Sequence, residues 1–144
     1  MSKKLWIALI VVLAAAWAGF KPHLNVSPTP ESGDISSLTD ARTVARYLLQ
    51  HQQLPTYYIT KNDARRRGWD PAKGNLCEVL PGKAIGGDRF GNREKRLPQR
   101  SGRLWYEADV NYRCGHREAD RLVYSSDGLV YITTDHYRSF KQVP

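Results

Sequence analysis

Apolar and polar positions divide the chain into three textures. After Lys3 and Lys4, an uncharged apolar run extends from Leu5 to Phe20 and ends in small residues, Ala16-Trp17-Ala18. A basic start, an apolar middle and a small-residue exit predict a secretory signal peptide over residues 1–18. An uncleaved membrane anchor is the competing reading, although the run is shorter than the roughly 20 residues that span hydrocarbon. The next stretch, to Ser37, carries Pro22, Pro28, Pro30 and Gly33 without apolar periodicity. It reads as an exposed linker over residues 19–37.

From Leu38 onward the pattern is that of a folded domain, assigned to residues 38–144. Ala41, Val44, Ala45, Leu48 and Leu49 recur at helical spacing, with Thr39 or Asp40 able to cap the start and Leu54-Pro55 to end the helix. Thr60 to Asp63 opens a second, shorter helix that Gly68 can stop. A further helical turn is expected after Gly74-Asn75. Beyond Pro81-Gly82, residues 84–89, 104–112, 121–125 and 129–133 are rich in branched and aromatic side chains separated by turn signals. Ser125-Ser126-Asp127-Gly128 joins the last two as a hairpin. Helices first and a meander afterwards predict an α+β fold, with N-terminal helices packed on one face of an antiparallel β-sheet.

The chain has 144 residues, room for one ordinary domain with tails and too little for a two-domain cofactor enzyme. It contains neither common glycine-rich phosphate cradle, and no cofactor is expected. Its 22 Lys and Arg against 14 Asp and Glu give a formal charge of +8, which favours polyanionic partners. Cys77 and Cys114 form no C-x-x-C pair. In an exported chain they would meet an oxidising compartment and bridge, the other reading being two buried free thiols. His116 beside Cys114 lacks a second ligand pair, so no metal is expected.

On a strand, Trp105, Glu107, Asp109 and Asn111 would share one face. Two acids among aromatics are unusual for plain core, and Arg117 and Arg121 lie a short connection away. This group could be a structural ion cluster or a catalytic one. His136 follows a strand, where an imidazole reaches solvent; taken alone it could be ordinary surface. A carboxylate, an imidazole and two guanidiniums together suit phosphodiester cleavage without a metal, because the nucleophile is the substrate's own 2′-hydroxyl.

Four stretches carry a more specific signal. They are Tyr58-Ile59-Thr60-Lys61, Ile85 to Glu94, Trp105-Tyr106-Glu107-Ala108-Asp109 and Thr133-Thr134-Asp135-His136-Tyr137. With Arg117 and Arg121, they resemble the barnase-like, guanyl-preferring microbial ribonucleases of the N1/T1 type, from about Leu54 to Phe140. The resemblance implies the microbial ribonuclease fold and assigns roles. Glu107 matches the general base and His136 the general acid. Lys61, Arg117 and Arg121 match groups that bind the scissile phosphate, and Tyr137 an aromatic residue lining the substrate site. Phe90, Gly91, Asn92, Arg93 and Glu94 match the guanine-binding loop, with backbone N–H groups meeting O6 and the Glu94 carboxylate accepting from N1–H and the exocyclic amine. Asp88 looks like a supporting acid near Lys61, and Asp109 a structural partner of the arginines. Gly91 stands where the pattern has a hydroxyl residue.

The expectation is therefore a secreted endoribonuclease, extracellular or periplasmic, cutting single-stranded RNA after guanosine through a 2′,3′-cyclic phosphate. DNA, lacking the 2′-hydroxyl, is not expected to be cleaved. A secreted basic RNA-binding module without turnover is the alternative. The resemblance also implies a monomer and an acidic inhibitor of the barstar type as a partner. A membrane partner is expected only if the N-terminal segment stays uncleaved.

Overall fold

The computed structural model describes residues 34–144. The proposed signal peptide, and the linker as far as residue 33, lie outside the described residues. Ordered structure begins before Leu38. Asp34 caps a helical turn, α1 (Ile35–Leu38), through its carboxylate and the Ser36 N–H. Ile35 is buried with Ala64, Trp69 and Leu76. One apolar residue among serines gives no periodicity, so the sequence leaves this turn in the linker.

Helix α2 (Ala41–His51) is the one its apolar spacing predicts. Asp40 accepts from the Thr43 N–H at 3.1 Å, a cap of the kind worth about 1 kcal/mol. Val44, Ala45 and Leu48 bury against Val110 and against Leu122 and Val130 of the sheet. Thr39 fastens the start of α2 to residues 111 and 112. Its carbonyl accepts from the Asn111 N–H at 2.7 Å and its hydroxyl from the Tyr112 N–H at 3.0 Å. Asn111, at φ 55°, lies past the end of its strand, and its side chain accepts from the Ala41 N–H. It supports the helix and does not extend the Glu107 row as its spacing suggested.

The remaining elements are β1 (Tyr58–Ile59), α3 (Lys61–Arg66), α4 (Leu76–Val79), β2 (Ala84–Phe90), β3 (Trp105–Asp109), β4 (Arg121–Ser125), β5 (Val130–Thr133) and β6 (Lys141–Gln142). Six strands form one sheet in sequence order. The sheet is mixed and not antiparallel throughout, because β1 runs parallel to β2 with Tyr58 opposite Ala84. The connection through α3 and α4 returns the chain to the end it left, as a parallel crossover must. Two-residue strands such as β1 and β6 are too short to show alternation. The other four neighbouring pairs are antiparallel.

Strand β2 bulges between Gly86 and Asp88, with Gly87 at φ +101°. A Cβ on Gly86 would lie 2.5 Å from the Tyr58 ring and 2.9 Å from the Ala108 Cβ, so the strands approach there only without a side chain. The bulge sets Asp88 opposite Glu107. In β4, Leu122 joins the α2 cluster, whereas Val123 packs with Leu97 and Trp105. The two faces of the sheet are therefore separate cores, and the second borders the candidate site. The cysteines are bridged, Cys77 in α4 to Cys114 in the loop after β3, across a sequence separation of 37. Closing a loop of that size in the unfolded chain is worth roughly 3–4 kcal/mol in the chain-entropy account.

Candidate active site

Strand β3 sends Trp105, Glu107 and Asp109 to the face that carries Val123, with Glu107 8% and Asp109 3% exposed. Asp109 receives a two-pronged bond from Arg117, Nε at 2.7 Å and Nη2 at 2.8 Å. Arg121 Nε lies 3.1 Å from the same carboxylate. That approach is not aligned for hydrogen bonding, and this buried Nε has no hydrogen-bond partner among the described residues. Arg121 Nη1 is held by the carbonyls of Glu118 and Asp120. Burial opposes the charged form of Arg117. The bonds it donates to Asp109 and the charges of Asp109 and Glu107 outweigh it, so its basicity is raised. One carboxylate thus faces two guanidiniums, with a cation in excess.

Glu107 has three polar neighbours. The Tyr137 hydroxyl donates to Oε1 at 3.0 Å, Lys61 Nζ lies 3.5 Å from that atom, and Arg117 Nη2 lies 4.0 Å away. Lys61 is the first residue of α3, whose Thr60 cap accepts from the Asp63 N–H. The Lys61 N–H donates to Asp88 at 3.0 Å, so the supporting acid acts through the backbone of Lys61. Burial first, and then the Glu107 charge, push the Tyr137 phenol well above its ordinary range. It remains a neutral donor.

His136 and Tyr137 both occupy the left-handed region, at φ 56° and 73°. Few side chains adopt it without support. The support is Asp135, a residue that sequence reasoning passed over. Its Oδ1 accepts from the Thr133 hydroxyl at 2.9 Å and from the N–H groups of Arg138 at 3.0 Å and Ser139 at 2.9 Å. Its Oδ2 accepts from the Ser139 hydroxyl. The Thr133 hydroxyl in turn accepts from the Tyr137 N–H. An Asp followed at short range by Ser, directly after a strand, was the available signal.

In the predicted guanine loop, Asn92 is buried at φ 49° and brackets Leu97, accepting from its N–H at 3.1 Å and donating to its carbonyl at 3.0 Å. Its side chain is occupied in shaping the loop. Gly91 has no positive φ, and a Cβ there would meet only the flexible Arg93 side chain. Phe90 stacks on Tyr137 with ring centres 4.9 Å apart. Phe90 to Glu94, Arg96, His136 and Tyr137 line one open cavity of about 810 Å³. The predicted residues therefore fall into two groups. Lys61, Asp88, Glu107, Asp109, Arg117 and Arg121 form the ionic cluster, and the loop residues and His136 line the cavity. Tyr137 belongs to both.

The ribonuclease family model matches residues 41–144. The chain belongs to the ribonuclease family. It is 48% identical to a ribonuclease of Bacillus intermedius over 149 aligned positions, covering 92% of each chain. A Bacillus pumilus ribonuclease is 47% identical, again over 92% of each chain. A Heyndrickxia coagulans ribonuclease is 61% identical over 100 positions, 69% of this chain and 92% of the relative. Membership of this family makes RNA the substrate class.

The Asp135 contacts give the ribonuclease a pH signature. The Ser139 hydroxyl and N–H, with Thr133 and Arg138, hold its carboxyl well below the usual carboxylate range. A depressed folded value means stability that is present above the unfolded value, about 3.9, and lost as pH falls below it. Thermal unfolding between pH 5 and pH 2 should show the melting temperature falling with acid, and Asp135→Asn should flatten that fall. An equal slope in the variant would show that these bonds do not report on folding.

Proposed function

We propose that this ribonuclease cleaves single-stranded RNA after guanosine by transphosphorylation. Glu107 takes the proton of the ribose 2′-hydroxyl, and that oxygen attacks phosphorus. The phosphorus–5′-oxygen bond breaks, and His136 protonates the departing oxygen. The product is a 2′,3′-cyclic phosphate. Water then opens it to the 3′-phosphate, with His136 as base and Glu107 as acid. Lys61, Arg117 and Arg121 stabilise the charge that builds on the phosphoryl oxygens.

The observation that carries this reading is the setting of Glu107. A buried carboxylate is held by Tyr137 and faced by Lys61 and Arg117, while His136 is the neighbour of Tyr137 in the chain. Arg121, with Nε 3.1 Å from Asp109, adds a second guanidinium to the same cluster. The cavity that joins the 90–94 loop to His136 supports a base site beside the reacting phosphate. Export through a signal peptide at residues 1–18, a monomeric state and an acidic inhibitor of the barstar type belong to the same proposal. The disulfide favours an oxidising compartment.

The test uses an oligonucleotide with one guanosine and the variant Glu94→Gln. Guanine presents N1–H and an amine, both donors, and the amide of glutamine offers one donor where an acceptor is required. Sites that leave such groups unpaired discriminate strongly. Cleavage after guanosine should fall far more than cleavage after other bases, with a cyclic phosphate as first product. An unchanged guanosine preference would remove Glu94 as the reader of the base.

A further inference from the structure

Arg96 lies two residues beyond Glu94, and its guanidinium makes two directed bonds. Nε donates to Glu94 Oε2 at 2.7 Å, and Nη1 donates to the Arg138 carbonyl at 3.0 Å. Glu94 belongs to the 90–97 loop. Arg138 belongs to the loop of His136 and Tyr137, and its own N–H is anchored on Asp135. One planar side chain therefore ties the base-reading carboxylate to the segment that carries the general acid, and all of these residues except Asp135 line the same cavity.

We propose that Arg96 is a specificity-determining positioning residue that holds Glu94 ready for guanine and couples the occupied base site to the His136 loop. The proposal rests on Glu94 reading guanine. Glu94 is largely exposed, and an exposed carboxylate on a flexible stem has no fixed direction of its own. With Oε2 engaged by Arg96, its rotation is restricted and Oε1 keeps its acceptor capacity. A guanidinium can serve both partners because its donors diverge in one plane. A lysine ammonium at this position lacks that fork. The same bond to the Arg138 carbonyl closes the loop behind His136. Base occupancy should then appear in kcat as well as in KM.

The experiment measures kcat and KM for a guanosine-containing and an adenosine-containing dinucleotide with wild type, Arg96→Ala, Arg96→Lys, Glu94→Gln and the double variant Arg96→Ala/Glu94→Gln. Both side chains are largely exposed, so the variants should fold, which unfolding curves verify. Arg96→Ala should lower the guanosine-to-adenosine ratio of kcat/KM by about three- to tenfold, a span suited to an exposed but charge-assisted contact. Part of the loss should lie in kcat, and Arg96→Lys should not restore it. In the Glu94→Gln background, Arg96→Ala should barely change the ratio. If Arg96→Ala slows both substrates equally, Arg96 is only a cation attracting RNA, and the proposal is overturned. It is also overturned if the two substitutions act independently on the ratio. Failure of the base reading itself looks different, because Glu94→Gln alone would then leave the ratio at its wild-type value.

Discussion

Replacement of His136 by alanine is expected to slow RNA transphosphorylation by about 10²–10⁴-fold, the range that a positioned general acid supplies. The protein should remain folded. His136 is exposed, and its loop is fastened by Asp135 and Thr133, not by the imidazole. The backbone at this position is left-handed, so alanine carries a conformational cost of about 1–2 kcal/mol. His136→Asn is the companion variant, since asparagine adopts that region more readily and supplies no proton near neutrality. If both variants lose activity alike, the imidazole and not the turn is responsible.

The pH profile separates the roles further. Wild-type cleavage should be bell-shaped, falling in acid as the carboxylate is protonated and in alkali as the imidazole loses its proton. The alkaline limb should vanish in His136→Asn, and the acidic limb should vanish in Glu107→Gln. Retention of near-wild-type cleavage and of the same alkaline limb by both His136 variants would refute the mechanism.

How much of this was legible in the sequence follows from where each signal resides. The α2 stripe and the hairpin at Ser125 to Gly128 are local patterns, so periodicity and turn chemistry reveal them. The parallel pairing of β1 depends on a crossover through two short helices and leaves no local trace. Ile35 is buried only because Ala64, Trp69 and Leu76 come back to meet it. Glu107, Asp109, Arg117 and Arg121 could be grouped by strand alternation and proximity, and the resemblance to a family sorted their roles. Tyr137 was read as a wall of the site, whereas its hydroxyl bonds Glu107 from 30 positions away. Asp135 and Arg96 went unread because each divides its bonds between neighbouring side chains and backbone groups. A side chain that organises a loop through carbonyls and N–H groups carries no distinctive residue pattern.

Asp109 is where the fold and the site depend on one side chain, and Asp109→Ala should destabilise the protein by about 3–5 kcal/mol, the cost of breaking a buried pair from one side. The bland comparison is a surface pair such as Arg66 with Asp63, both largely exposed, a class worth about 0–1 kcal/mol. The difference lies in what remains after the substitution. Loss of a surface carboxylate leaves an arginine that water solvates. Loss of Asp109 leaves Arg117 half-buried and Arg121 only 4% exposed, two like charges without their shared counter-ion. Arg121 cannot shed its charge, since a guanidinium stays protonated at any ordinary pH. It must either stay uncompensated or break the Glu118 and Asp120 contacts to reach solvent. Urea unfolding should register the loss as a midpoint lower by about 1–5 M if the slope stays near 1–3 kcal/mol per M. Activity of the fraction still folded should fall as well, because both guanidiniums lose the carboxylate that fixes them in the place from which they are proposed to meet the phosphate. Adding Arg121→Met to Asp109→Ala should recover much of the stability and none of the activity. Without that recovery, the cost would lie in the cavity left by the carboxylate and not in the stranded charge.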